Sequence, residues 1–374
     1  PDTDQDGNKL VLGENVDLPA IYVLVGEYGV ETLEETGNIK VTAIDSDGKT
    51  TTETYTDLYT CFKKVDSGNY ANAQQTKIQL LANDEIDSSA NVYLDKVFGK
   101  DIILDLNGYK LTSNGTFVMN EGKLTIQSSE SGGSIQFSRN VPFGITIESG
   151  AECIVDTGVT IEGETDAAIL FNNSGTCTIN KDANIRTTGT NNHAVITQLG
   201  KITIEDGAVL QAEKALKALD SDVIIKGGTI RGKFVLENTS TATITGGTFE
   251  NGIDASESKK TLSDLMESNY ILLKSSDKTE VDLTAKLVDE SVYVKKLSIE
   301  ITKQPTIPNG KGTVMEYYTE APVLTVEAKD ATNPGKTMTY QWYRRTTETD
   351  EKGTGTVTDT EIKGETQSTY QIPT

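Results

Sequence analysis

The sequence predicts an all-β chain: a right-handed parallel β-helix with short capping helices, then a partial Ig-like β-sandwich. Three observations predict it. An apolar-x-apolar triplet recurs through the middle of the 374 residues. A Gly or Asp stands five residues after the start of each of its last five copies, and long helical periodicity is almost absent.

The triplets are Leu104-Asp105-Leu106, Leu124-Thr125-Ile126, Cys153-Ile154-Val155, Cys177-Thr178-Ile179, Ile202-Thr203-Ile204, Val223-Ile224-Ile225 and Ala242-Thr243-Ile244. Their starts lie 20, 29, 24, 25, 21 and 19 residues apart. The turn residues Gly158, Asp182, Gly207, Gly228 and Gly247 tolerate a left-handed backbone. A second short strand follows each of these turns, as at Val159–Ile161 and Thr229-Ile230. A third apolar stretch precedes each later triplet, as at Phe117–Met119, Ile145–Ile147, Ala168–Leu170 and Phe234–Leu236. Three strands and three turns make one coil. A single coil cannot bury its inward side chains, so coils must stack. Seven coils at about 4.8 Å each give a rod about 30 Å long.

Alternation assigns the faces. Positions one and three of each triplet point inward, and the middle residue points out, which suits Asp105, Thr125, Thr178, Thr203 and Thr243. Ile154 and Ile224 break that polar pattern. Cys153 and Cys177 fall on the same rung position of neighbouring coils and are expected to stack as reduced thiols, because in-register parallel strands stand too far apart for a bridge.

The ends need covers, since open sheet edges invite pairing. Ile21–Val25 and Ile39–Ile44 read as strands, with a hairpin turn at Asp45–Gly48. Leu58, Cys61, Phe62 and Val65 form a helical stripe with Thr56 as its N-cap, leading into a strand at Lys77–Leu81. Leu262, Leu265 and Met266 make a second short stripe at the far end. The expected division is an N-terminal segment 1–75, the β-helix with its C-terminal cap 76–296, and the sandwich 297–374. In the last segment strands are expected at Val323–Ala328, Met338–Arg345 and Ser368–Ile372. Trp342, the single tryptophan, falls where such a sandwich covers its core. The chain opens on Pro1 and ends at Thr374, before the final two strands that such a sandwich needs, so it reads as a mature fragment or an expressed piece with the sandwich expected to be truncated.

The segment Ile103-Leu104-Asp105-Leu106-Asn107-Gly108-Tyr109-Lys110-Leu111-Thr112 resembles the opening coil of pectate-lyase-like β-helices in surface proteins of Gram-positive bacteria. The turns Gly227–Ile230 and Gly246–Phe249 and the closing segment Leu262–Tyr270 fit the same pattern. Tyr340–Tyr343 with Ile362-Lys363-Gly364 and Ser368–Pro373 resembles the Ig-like modules that follow such helices. The resemblance covers residues 75–374 and implies a secreted or cell-surface adhesin or cell-wall protein. It implies little about activity.

Charge narrows the partners. There are 34 basic and 56 acidic residues, a net charge of −22, which repels nucleic acid and anionic membrane surfaces. No run is long and apolar enough to insert in a bilayer. Three cysteines suit neither a disulfide framework nor a zinc site. The densest acidic patch is Glu148, Glu152, Asp156, Glu162, Glu164 and Asp166 around one coil. It reads either as a solvated face or as oxygen ligands for Ca²⁺, the sole candidate cofactor. Asp2–Gly7 matches half of a calcium loop, but Gly13 stands where its bidentate Glu belongs, so a polar linker is the competing reading.

Other candidates are weaker. His193, the lone histidine, reads as a turn residue. Asn172-Asn173 and Asn191-Asn192 are expected to stack one coil apart. Tyr109 and Phe143 are the aromatics placed to meet a sugar, with a core role open for Phe143. Arginine is scarce in the β-helix, limited to Arg139, Arg186 and Arg231, and no Asp-Asp pair marks a hydrolase. The expectation is a non-catalytic, monomeric surface module bound to a host or cell-wall glycan or a surface protein. The alternatives are a carbohydrate-binding β-helix and a polysaccharide lyase or hydrolase.

Overall fold

The computed structural model describes residues 22–24, 33–35, 37–65, 70, 73–87, 91–98, 101–139, 141–165, 167–187, 189, 192–305, 323–330, 337–349 and 355–373. The chain divides into two compact units, 1–295 and 296–374.

In the first unit three strands per coil feed three sheets, and each strand pairs in parallel with its counterpart one coil away. The first sheet takes the triplet strands from Gln75–Leu80 and Asp101–Asp105 through Thr241–Ile244. The second runs from Asp84–Ile86 through Thr248–Phe249, and the third from Val92–Tyr93 through Ile253–Asp254. This is a parallel β-solenoid. The turn residues explain why the chain bends where it does: Gly158, Gly207, Gly228 and Gly247 have φ of 75°, 84°, 81° and 103°, and Asp182 has 58°. Those are left-handed values that glycine adopts without cost and Asp tolerates.

Positions one and three of the triplets from Leu124 to Ile244 are buried in one column of core that also takes in Ile39 and Val292. The first coil differs from the expected register. Ile102-Ile103-Leu104, not Leu104-Asp105-Leu106, pairs with Leu124-Thr125-Ile126. The shift is two residues, so parity and facing survive, and Leu106 is left in the turn. Asp105 was expected in water but is fully buried, wrapped by Lys77 at 2.7 Å, the Ser129 N–H at 2.9 Å and the Asn107 N–H at 3.0 Å. The strand Gln75–Leu80 adds a rung ahead of the first triplet, pairing Thr76 with Ile102. Its buried Thr76 hydroxyl donates to the Phe98 carbonyl at 2.7 Å, which disguises the inward position as polar.

The ends are closed as physical necessity demands. Ile39–Ile44 pairs antiparallel with both Gln75–Leu80 and Thr50–Tyr55, and Gly48 (φ 75°) makes the hairpin turn. Tyr22–Leu24 pairs antiparallel with Leu33–Glu35. Helix α1 (Leu58–Val65) is capped by Asp57 and not by Thr56. The Asp57 carboxylate accepts the Thr60 N–H at 2.5 Å, and Thr56 donates its hydroxyl to Asp57 at 2.9 Å. Leu58 and Cys61 are buried beneath it, and burial pushes the Cys61 thiol up to about 12. Helix α2 (Leu94–Phe98) was not expected; it buries Leu94 and Phe98. At the other end helix α3 (Leu262–Leu265) buries both leucines, and Asp264 accepts the Thr261 N–H at 2.8 Å. Antiparallel strands Val292–Lys296 and Leu287–Val288 pair with the last coil.

In the second unit the described residues form small antiparallel pairs: Ile299–Lys303 with Glu327–Asp330, Val323–Thr325 with Thr369–Gln371, and Tyr343–Thr349 with Gly355–Glu361. Trp342 precedes the third pair. Its indole donates to the Gln367 carbonyl at 2.8 Å and its ring lies 5.6 Å from Tyr370.

Candidate functional site

The second sheet builds the most chemically varied surface of the solenoid. Ile135, Ile161, Ile185, Leu210, Ile230 and Phe249 point into the core, so the next residue on each strand points out. Register then lines up Gln136, Glu162, Arg186, Gln211 and Arg231 as one column, continued by Glu250. Arg186 Nε donates to Glu162 Oε2 at 2.6 Å, and Nη2 contacts the same oxygen. Arg231 Nε lies 3.3 Å from Glu250 Oε1.

Two clefts open where these strands turn towards the third sheet. One, of about 250 Å³, is lined by Gln136, Ser138, Arg139, Glu162, Glu164 and Arg186. The other, of about 620 Å³, is lined by Gln211, Glu213, Arg231, Glu250 and Asn251 among others. All three arginines of the solenoid therefore face these clefts. Sequence reasoning named Glu162, Glu164 and the arginines but not their convergence. The signal was there: each follows directly on the inward residue of a second strand or lies in the turn beyond it. Chemically, the clefts offer amide, guanidinium and carboxylate hydrogen-bonding groups. Glu162 forms an ion pair with Arg186.

The described members of the acidic patch expected to hold calcium are spread over the first sheet (Glu152), the second sheet (Glu162) and the turns between sheets (Glu148, Asp156 and Glu164). Each carboxylate whose partner is known binds an adjacent coil. Glu148 accepts from Asn173 at 2.6 Å, Glu152 meets Lys123 at 3.7 Å, and Asp156 accepts from Asn180 at 3.0 Å. Glu164 lines the smaller cleft. Asp166 lies outside the described residues, as do Asp2–Gly7 and Gly13. Among the described residues no group of three or more His, Cys, Asp or Glu is placed to hold a metal ion.

The asparagine stack does not form as expected. Asn172 lies within the third-sheet strand Ala168–Asn173 and pairs with Thr197, while Asn192 precedes the next strand; Asn191 lies outside the described residues. Asn172 is fully buried and donates to Thr197 Oγ1 at 3.1 Å and to the Lys201 carbonyl at 3.0 Å. His193 begins a third-sheet strand and is not in the turn. Its Nδ1 lies 3.3 Å from the Ala167 carbonyl, and burial pulls its pKa down. Tyr109 packs against the core, whereas Phe143 stacks on Phe171 at 4.4 Å outside it.

No family model matches the chain, and no curated protein or solved structure matches it. No helix among the described residues is long and apolar enough to cross a membrane.

Proposed function

We propose that the chain is a non-catalytic, secreted or cell-surface module, in which a solenoid rod belongs to an adhesin or cell-wall-attached protein of the pectate-lyase-like kind. The segment from residue 297 serves as an Ig-like spacer. One observation carries this reading: outward charges are spent between coils. Lys77–Asp105, Lys123–Glu152, Arg186–Glu162, Lys226–Glu205 and Arg231–Glu250 all join neighbouring coils. Such pairing suits a stiff scaffold better than a catalytic centre, where acid and base must converge on one bond.

A carbohydrate-binding role is the second reading, favoured by the column Gln136 to Glu250 and its clefts. Binding to plant, microbial and host glycan arrays, with calcium and with a chelator, followed by an assay for product release, tests both. Selective binding abolished by Arg139→Ala or Arg231→Ala establishes the second reading. Product release overturns the non-catalytic one.

A further inference from the structure

The first sheet carries an outer face of unusual regularity. Its central column is Ile103, Thr125, Ile154, Thr178, Thr203, Ile224 and Thr243, each in register with the next. Ile154 and Ile224, which looked like breaks in a polar pattern, thus belong to a run of seven β-branched side chains, which Lys77 on strand Gln75–Leu80 ends. Beside it, two residues earlier on each strand, runs a second outward column: Asp101, Lys123, Glu152, Thr176, Lys201, Asp222 and Thr241. In a chain of net charge −22 this column holds three acids against two lysines. None of its residues is buried, and Thr176, Lys201, Asp222 and Thr241 are exposed.

The signs of these charges invert about Thr176, Lys123 answering Asp222 and Glu152 answering Lys201, while Asp101 answers the neutral Thr241. A twofold axis parallel to the strands, passing over Thr176, lays a second copy on this face with its coils running the opposite way. Lys123 then meets Asp222 of the second copy and Glu152 meets Lys201 of the second copy, each pair made twice. The same operation sets Ile103 against Thr243, Thr125 against Ile224, Ile154 against Thr203, and Thr178 against itself. Every isoleucine faces a smaller threonine, as interdigitating sheets require. In the third column Asp156 would face Glu205, each holding a partner from its own stack, Asn180 and Lys226; Glu152 and Lys123 also pair within the stack, at 3.7 Å, and at the interface each would gain a second partner of opposite sign.

We propose that this outer face of the first sheet is a self-complementary interface on which two copies of the chain pack face to face, antiparallel along the coil axis. Charge complementarity in the second column identifies the partner as a second copy, since this twofold sets Lys123 against Asp222 and Glu152 against Lys201. The assignment goes beyond the scaffold role and is independent of it.

Sedimentation equilibrium of the full chain over a concentration series tests it. The wild type is expected to dimerise. Lys201→Glu and Glu152→Lys are each expected to weaken the dimer at least about tenfold, because each puts two like-charge pairs in the interface. The double exchange E152K/K201E is expected to restore it, although it keeps the within-chain costs of both single changes. Thr176→Cys, at the axis, is expected to cross-link two copies with a short bis-maleimide, the native cysteines being buried. A wild type monomeric at all concentrations overturns the proposal. So does a dimer indifferent to Lys201→Glu, or one whose Thr176→Cys form fails to cross-link.

Discussion

Cys153 and Cys177 stand opposite each other in register on adjacent first-sheet strands, both fully buried and unbridged. Burial first, and then the neighbouring Cys153, hold the Cys177 thiol well above the usual range. Both are therefore expected to resist thiol reagents in the folded chain and to react in denaturant. Cys177→Ser, which buries a hydroxyl in an apolar column, is expected to cost about 2 kcal/mol in urea unfolding, more than Cys177→Ala. Rapid labelling of the native chain would contradict this.

Leu199 sits at φ 54° and is 60% exposed, in the turn between the third and first sheets. The corresponding turns of neighbouring coils use Ser174, Asp220 and Asn238, also at positive φ. A leucine there bears the left-handed penalty of about 1–2 kcal/mol with little burial to offset it. Leu199→Asn is expected to stabilise the solenoid by about 0.5–1 kcal/mol, read as a raised Tm.

Acid should loosen the first coils through Asp105. Burial opposes its charge, but Lys77 and Ser129 outweigh burial and hold its carboxyl below the usual range. A depressed folded pKa means the stabilisation is complete above the unfolded value and disappears as pH falls through the folded one. His193 acts in the same direction. Burial lowers its pKa, so the fold favours the neutral ring and loses stability as pH falls below the unfolded value, about 6.5. Asp105→Asn is expected to cost about 2 kcal/mol at neutral pH and to flatten the acid limb of a stability–pH curve. A variant with the wild-type acid limb would remove Asp105 from the account.

The repeat was legible because glycine and alternation mark turns and faces locally. Gly158 to Gly247 and the buried ladder from Leu124 to Ile244 were readable for that reason. The first rung was misread by two residues because Leu106 continues the apolar alternation of Ile102 and Leu104; only pairing with Leu124 decides which of them share a rung. Thr76 hid a rung behind a hydroxyl satisfied by a distant carbonyl. The clefts were illegible for a related reason: Arg139, Glu164 and Arg186 come from three coils, and their meeting depends on turn lengths that vary from coil to coil.

The acidic coil supplies the last test. Glu148, Glu152, Asp156 and Glu162 each hold an amide or cation from an adjacent coil. These carboxylates make contacts along the rod and lie on two sheets and in the turns beside them, whereas calcium needs six or more oxygens around one point. An ion bound at a hundred times its Kd would add about 2.7 kcal/mol to unfolding. Thermal melts with calcium and with a chelator are therefore expected to coincide, while Asn180→Ala or Asn173→Ala lowers Tm by removing a bond between coils worth about 1 kcal/mol. A calcium-dependent rise in Tm that Glu148→Gln abolishes would establish these carboxylates as metal ligands.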